Sequence, residues 1–236
     1  LQIKGIPDPW DKGIAGGWDV IDGARIDQDK TLEADVVIVG SGAGGGVSAE
    51  ILAQAGLKVI VVEAGRLQSS DDFDMQESRA YRNLYQESGA MATKDGGISI
   101  LQGRTLGGST VVNWTSSFRT PEQTLNHWRD VFGVADLDRP ALDPWFAQME
   151  KRLGITTWEG ELNANNDVLR RGCEEMGWHW ERIPRNVNGC WDLGYCGLGC
   201  PVNAKQSMLV TTLPGALEGG ATVIHSCPAD RLELDG

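Results

Sequence analysis

At 236 residues the chain can bury a real core, in one large domain or two smaller ones. A hydrophobic fraction of 41% and a charged fraction of 23% are ordinary for a globular protein. The net charge of −12 argues against nucleic acid or an anionic membrane surface as partner, since both need a basic footprint. No apolar run reaches the roughly 20 residues that span a bilayer, so no transmembrane segment is expected. Nothing at Leu1-Gln2-Ile3-Lys4 resembles a secretory leader, and a cytoplasmic location is the expectation.

Residues 1–32 are rich in Gly, Pro and Asp and read as an irregular arm, with Trp10 and Trp18 packing it on the body. Residues 34–39 are an apolar run that reads as a central parallel strand buried on both faces. The run feeds a glycine cluster in which Gly40, Gly42 and Gly45 have G-x-G-x-x-G spacing. Val47, Ile51, Leu52 and Ala55 then recur at helical spacing, with Gly56 placed to end the helix. In such a unit the first glycine turns the chain, the second lets a pyrophosphate approach the backbone, and the third lets helix and strand pack closely. The anion sits on unpaired amides at the helix N-terminus, so Gly40, Ser41, Gly42, Ala43 and Gly45 are candidate cofactor contacts.

A second apolar run, Lys58 to Val62, ends in Glu63-Ala64. Glu63 has about the spacing at which an acid meets ribose, where it would accept from the ribose hydroxyls and repel a 2′-phosphate. After a polar stretch with a short helix around Met75–Gln86 comes Gly103-Arg104-Thr105-Leu106-Gly107-Gly108-Ser109-Thr110-Val111-Val112-Asn113. Its small residues imply backbone brought close to something flat, with Asn113 as a polar pointer.

This second segment, downstream of the glycine turn, resembles the signature G-R-x-x-G-G-S-[ST]-x-x-N of the glucose–methanol–choline (GMC) oxidoreductases. Arg119 falls where that family usually carries an arginine, while Thr115 and Thr120 replace its more frequent Met and Gly. The resemblance runs from about residue 33 to the end. It implies an α/β fold: a Rossmann-like FAD-binding domain, a parallel sheet with flanking helices, plus part of a smaller α+β substrate domain. It also implies FAD rather than NAD as the bound dinucleotide. The glycine turn with Glu63 and Ala64 would hold the ADP half, and Gly103, Arg104, Gly107, Gly108, Ser109 and Asn113 would lie along the pyrophosphate and isoalloxazine.

On this reading residues 33–144 are the FAD-binding domain, 145–208 part of the substrate domain, and 209–236 a return to the FAD-binding domain. Helices are expected from Pro121, after Pro144 and over 163–183, with a turn at Asn186-Val187-Asn188-Gly189 and a strand at Ala221–His225. Ala229 is the expected contact near the adenine.

Cys190, Cys196 and Cys200 crowd one Gly-rich loop, which resembles a Cys-containing branch that includes long-chain alcohol oxidases and bacterial relatives. Three soft ligands at irregular spacing, with no nearby His, do not make a good metal or Fe–S site, and no metal is expected. A disulfide and free thiols both stay open.

The family's activity is oxidation of an alcohol CH–OH group to a carbonyl, with hydride passing to flavin N5 and a base taking the hydroxyl proton. No histidine here (His127, His179 or His225) has a context suited to that base. The family's own lies in a C-terminal stretch without counterpart, and the run Leu232-Glu233-Leu234-Asp235-Gly236 reads as a hairpin cut at its tip. The chain therefore reads as the FAD-holding part of a longer enzyme whose substrate is a small-molecule alcohol. The electron acceptor is open. The alternatives are another flavoprotein, an NAD-dependent dehydrogenase, or a non-catalytic nucleotide-binding subunit.

Overall fold

The computed structural model describes residues 8–157 and 160–234. In chain order these form α1 (Pro9–Ala15), β1 (Asp19–Asp22), β2 (Val36–Val39), α2 (Ala43–Gln54), β3 (Val59–Val62), α3 (Glu77–Leu84), α4 (Glu122–Phe132), α5 (Arg139–Arg152), β4 (Ile155–Thr157), α6 (Ala164–Glu175), β5 (Pro184–Asn186), α7 (Thr212–Glu218) and β6 (Thr222–His225). They group into two compact units, one made of residues 1–114 with 188–236 and the other of residues 115–187. The division expected at 144/145 falls inside α5, and the one at 208/209 lies on the approach to α7.

The first unit is built on a parallel sheet of order β1-β6-β3-β2. The Val/Ile runs make these strands because β-branched side chains suit a pleated, half-buried surface. α2 packs against α7 and covers one face, where Ala49, Ala53, Val59, Val61, Leu213, Ala216 and Val223 are buried. α2 stops where expected: Gly56, at φ 86°, is in the left-handed region and its N–H donates to Ala53.

Two expectations are corrected here. β2 is an edge strand among the described residues, and its Val37 and Val39 are 58% and 60% exposed. A valine-rich run reads the same whether or not a further strand and covering layer are present. The described part of the arm is also less irregular than expected, since it carries α1 and β1. Asp8 caps α1 by accepting from the Trp10 N–H, and β1 pairs in parallel with β6. Trp10 is buried, donates its indole N–H to the Leu209 carbonyl, and meets Trp18 edge-on.

The second unit holds α4, α5, α6 and an antiparallel pair, β4 with β5, that periodicity did not show. α5 starts five residues before Pro144, because Asp138 caps it by accepting from Ala141 and Pro140 fits the first turn. α6 ends at Glu175 rather than near 183, and Asn186, expected in a turn, closes β5. Arg119 clamps α5 with a two-pronged bond to Glu150, at 2.7 and 2.6 Å, and a 3.1 Å contact to Asp143. The hydrogen bond and charge of Arg119 hold the Glu150 carboxyl below its usual range. The hairpin tip expected at Asp235-Gly236 lies outside the described residues; Leu232 and Leu234 before it are exposed and in no strand.

Candidate functional site

The site forms where β2 turns into α2. Gly40 has φ 94°, which turns the chain off the strand, and its N–H donates to Val62 at 2.8 Å. Gly42 is the N-cap of α2 and no side chain caps it, so the first-turn amides and the positive helix end are left for an anion. At Gly45 a Cβ would stand 1.8 Å from the Gly40 carbonyl oxygen. Helix and strand can approach this closely only with hydrogen there.

The second glycine segment docks on the first. A Cβ on Gly108 would lie 2.8 Å from the Gly42 Cα, so the two backbones touch without side chains between them. A 3₁₀ turn over Gly108–Val111 carries this contact, and Ser109 Oγ accepts from the Gly103 N–H at 3.0 Å. Thr110 Oγ donates to the Gly107 carbonyl and accepts from the Met208 N–H, at 2.6 and 3.0 Å. The motif residues 66 positions apart are joined by Ser41, whose Oγ accepts from the Gly107 N–H at 2.9 Å.

That same hydroxyl donates to Glu63 Oε2 at 2.6 Å, and the Ser41 N–H reaches the same oxygen at 2.9 Å. Glu63 Oε1 accepts from the Gly65 N–H at 2.7 Å. Glu63 is 7% exposed, so its charge is held by three short hydrogen bonds rather than by water. A carboxylate has about four acceptor positions. Three are filled from within the chain, which leaves Oε1 as the oxygen with room for a ribose hydroxyl. The strand position of Glu63 was legible; the Ser41 bridge was not, since spacing does not say where a hydroxyl points. Gly65 was also missed. A Cβ there would stand 2.3 Å from the Thr105 nitrogen, a third close approach, and a glycine two residues past an acid is little signal alone.

Of the other expected contacts, Ala43 opens α2 and is exposed, and Ala64 is half-buried beside Glu63. Arg104 is exposed, with its N–H on the Leu84 carbonyl. Asn113 follows the 3₁₀ turn and its N–H donates to Ser109. Ala229 is exposed beyond β6, two residues past Cys227, whose N–H donates to the Glu63 carbonyl. Ser226 and Cys227 thus pair with Gly65 and Glu63, and Ala229 lies two residues past that pairing.

The histidines lie elsewhere. His127 meets the Phe132 ring edge-on, and His179 is exposed near Glu181. His225 is half-buried, bonded to Ser226 at 2.9 Å and 3.6 Å from Asp22. Burial pushes its pKa down; Asp22 opposes this, and Arg66 and Arg25 add to it. All five cysteines are free thiols, and Cys190, Cys196 and Cys200 line one small cavity. A larger cavity of about 220 Å³, lined by Asp72, Phe73, Arg79 and Leu84 among others, includes none of the expected cofactor contacts. The candidate site is a bare-backbone cradle open to an anion rather than a deep pocket. No helix among the described residues is long and apolar enough to cross a membrane.

Residues 33–80 match a family model described as "FAD binding domain", and residues 81–236 match one described as "GMC oxidoreductase". A long-chain-alcohol oxidase of Arabidopsis thaliana is 37% identical over 210 residues, covering 86% of this chain and 28% of the plant protein. An uncharacterized GMC-type oxidoreductase of Mycobacterium tuberculosis is 35% identical over 209 residues, covering 87% of this chain and 33% of the relative. Among solved structures, pyridoxine 4-oxidase from Mesorbium loti superposes with a TM-score of 0.63 at 19% identity, over 86% of this chain and 44% of that one, a likeness of fold. The chain therefore spans about a third or less of the length of these curated relatives. The matched segments make FAD the dinucleotide. The chain belongs to the GMC oxidoreductase family.

Proposed function

We propose that the full-length protein oxidises the CH–OH group of an alcohol to a carbonyl, and that these 236 residues supply its grip on FAD. The observation that carries the reading is the seating of Gly108 on Gly42, which makes one cradle of two motifs. The residues fit the cofactor. The α2 N-terminus would meet the pyrophosphate, Glu63 Oε1 would accept from ribose, and the Gly103–Asn113 segment would lie along the flavin. When bound, FAD supplies hydride acceptance at N5. The chain's part is to bind and orient; the group that takes the hydroxyl proton belongs to the protein outside these residues.

The long-chain-alcohol oxidases among the relatives make long aliphatic alcohols the first substrates to test. In purified full-length protein, flavin bands at roughly 375 and 450 nm are expected, and their anaerobic bleaching by an alcohol series. Protein without those bands overturns the FAD assignment. Flavin that no alcohol reduces overturns the alcohol reading. Peroxide released on admitting oxygen would make the enzyme an oxidase.

A further inference from the structure

Behind the flavin-facing segment lies one buried cation. Lys205 is 2% exposed, and its Nζ donates to the carbonyls of Val111 at 2.6 Å, Asn113 at 2.9 Å and Cys196 at 2.5 Å. Three acceptors match the three N–H donors of an ammonium. Val111 ends the Gly108–Val111 turn, where the last carbonyls are free of intrahelical partners, and Asn113 lies two residues beyond it. The third opens the Cys196–Leu198 turn. One side chain thus fixes the end of the Gly103–Asn113 segment and fastens the cysteine loop to it. The neighbouring chain reinforces the seat: Met208 donates to Thr110, and a Cβ on Gly107 would lie 3.1 Å from the Leu209 nitrogen.

We propose that Lys205 is a positioning residue for the flavin, setting the conformation of Val111–Asn113 and placing a fixed positive charge behind the segment that lies along the ring. This rests on the FAD reading above. Two effects follow and can be separated. The hydrogen bonds hold the loop in its binding shape, so they govern FAD affinity. The charge favours the electron-rich reduced flavin over the oxidised form, so it raises the midpoint potential.

The test uses full-length protein with K205M, which keeps the stem as far as Cε but removes donors and charge, and K205Q, which is one atom shorter and offers two N–H donors without charge. K205M is expected to weaken FAD binding by roughly tenfold or more, with K205Q closer to the unsubstituted protein. Both are expected to lower the midpoint potential by about 30 mV, the equivalent of a tenfold shift in a two-electron couple. Folded variants with unchanged affinity and potential overturn the proposal. Loss of the fold in both variants also overturns it, because the lysine would then serve the core at large. Absence of flavin from the unsubstituted protein would instead overturn the FAD reading, and this assignment with it.

Discussion

Glu63 is surrounded by donors on every side that the chain reaches: Ser41 N–H, Ser41 Oγ and Gly65 N–H. A carboxamide cannot satisfy that set. Whichever way Glu63→Gln is flipped, its NH₂ faces a backbone N–H, and one buried donor loses its acceptor at about 1–3 kcal/mol. The variant is therefore expected to unfold at lower denaturant even without cofactor, and to retain less FAD. Unchanged denaturant midpoint and flavin occupancy together would refute this account of the acid. His225 gives a second, pH-dependent expectation. Its folded pKa lies below the ordinary value near 6.5, because burial, aided by Arg66 and Arg25, outweighs Asp22. The unfolded chain thus binds the proton more readily, and stability is full above about pH 6.5, falls as the pH drops through that value, and levels off below the folded pKa. Urea midpoints measured between pH 8 and 5 should show this fall, and His225→Gln should flatten that part of the profile. A variant as steep as the parent across that range would exclude His225 as its source.

At the scale of elements, the join between β2 and α2 separates two glycines that look alike in sequence. Gly45→Ala would press a methyl into the Gly40 carbonyl oxygen, 1.8 Å away, a backbone atom that cannot swing aside, with Ile38 Cγ2 at 3.2 Å beside it. Gly44→Ala meets nothing within 4 Å and sits inside α2, where alanine is favoured by about 0.5–1 kcal/mol. Expressed in parallel, the first variant is expected to be insoluble or strongly destabilised and the second at least as stable as the parent; equal melting temperatures would contradict the packing argument. What the sequence made legible here were local devices. Gly40, Gly42 and Gly45 announce a turn, Gly56 a helix end, and Glu63 a strand-end acid because each acts within its own element. β4 and β5 were hidden because three residues are too few for period-two alternation, and β5 opens on a proline. Lys205 was hidden for another reason. Its partners at Val111 and Asn113 lie 94 and 92 residues away, and only folding brings them together.

On the scale of the molecule, the strand order was the part that pattern could not deliver. The run at 36–39 has the composition of a central strand, and among the described residues it forms an edge. Val36 and Ile38 are half-buried, with Ile38 close to α2 at Gly45, while Val37 and Val39 are exposed. An unpaired edge beside an apolar face is a template for association between copies. The 236-residue polypeptide expressed by itself is therefore expected to self-associate with rising concentration in the micromolar range and to bind an apolar dye. Val37→Thr with Val39→Thr tests the cause, because threonine keeps the β-branched shape and strand preference while adding a hydroxyl. These exposed positions should cost little stability, within about 0.5 kcal/mol each, so the melting temperature should hold while sedimentation shifts toward monomer. A parent chain that sediments as a monomer throughout would refute the edge argument. A double variant that associates as strongly as the parent would move the contact away from β2. The outcome bears on the cofactor site as well, because the same strand runs into Gly40 and presents the glycine turn.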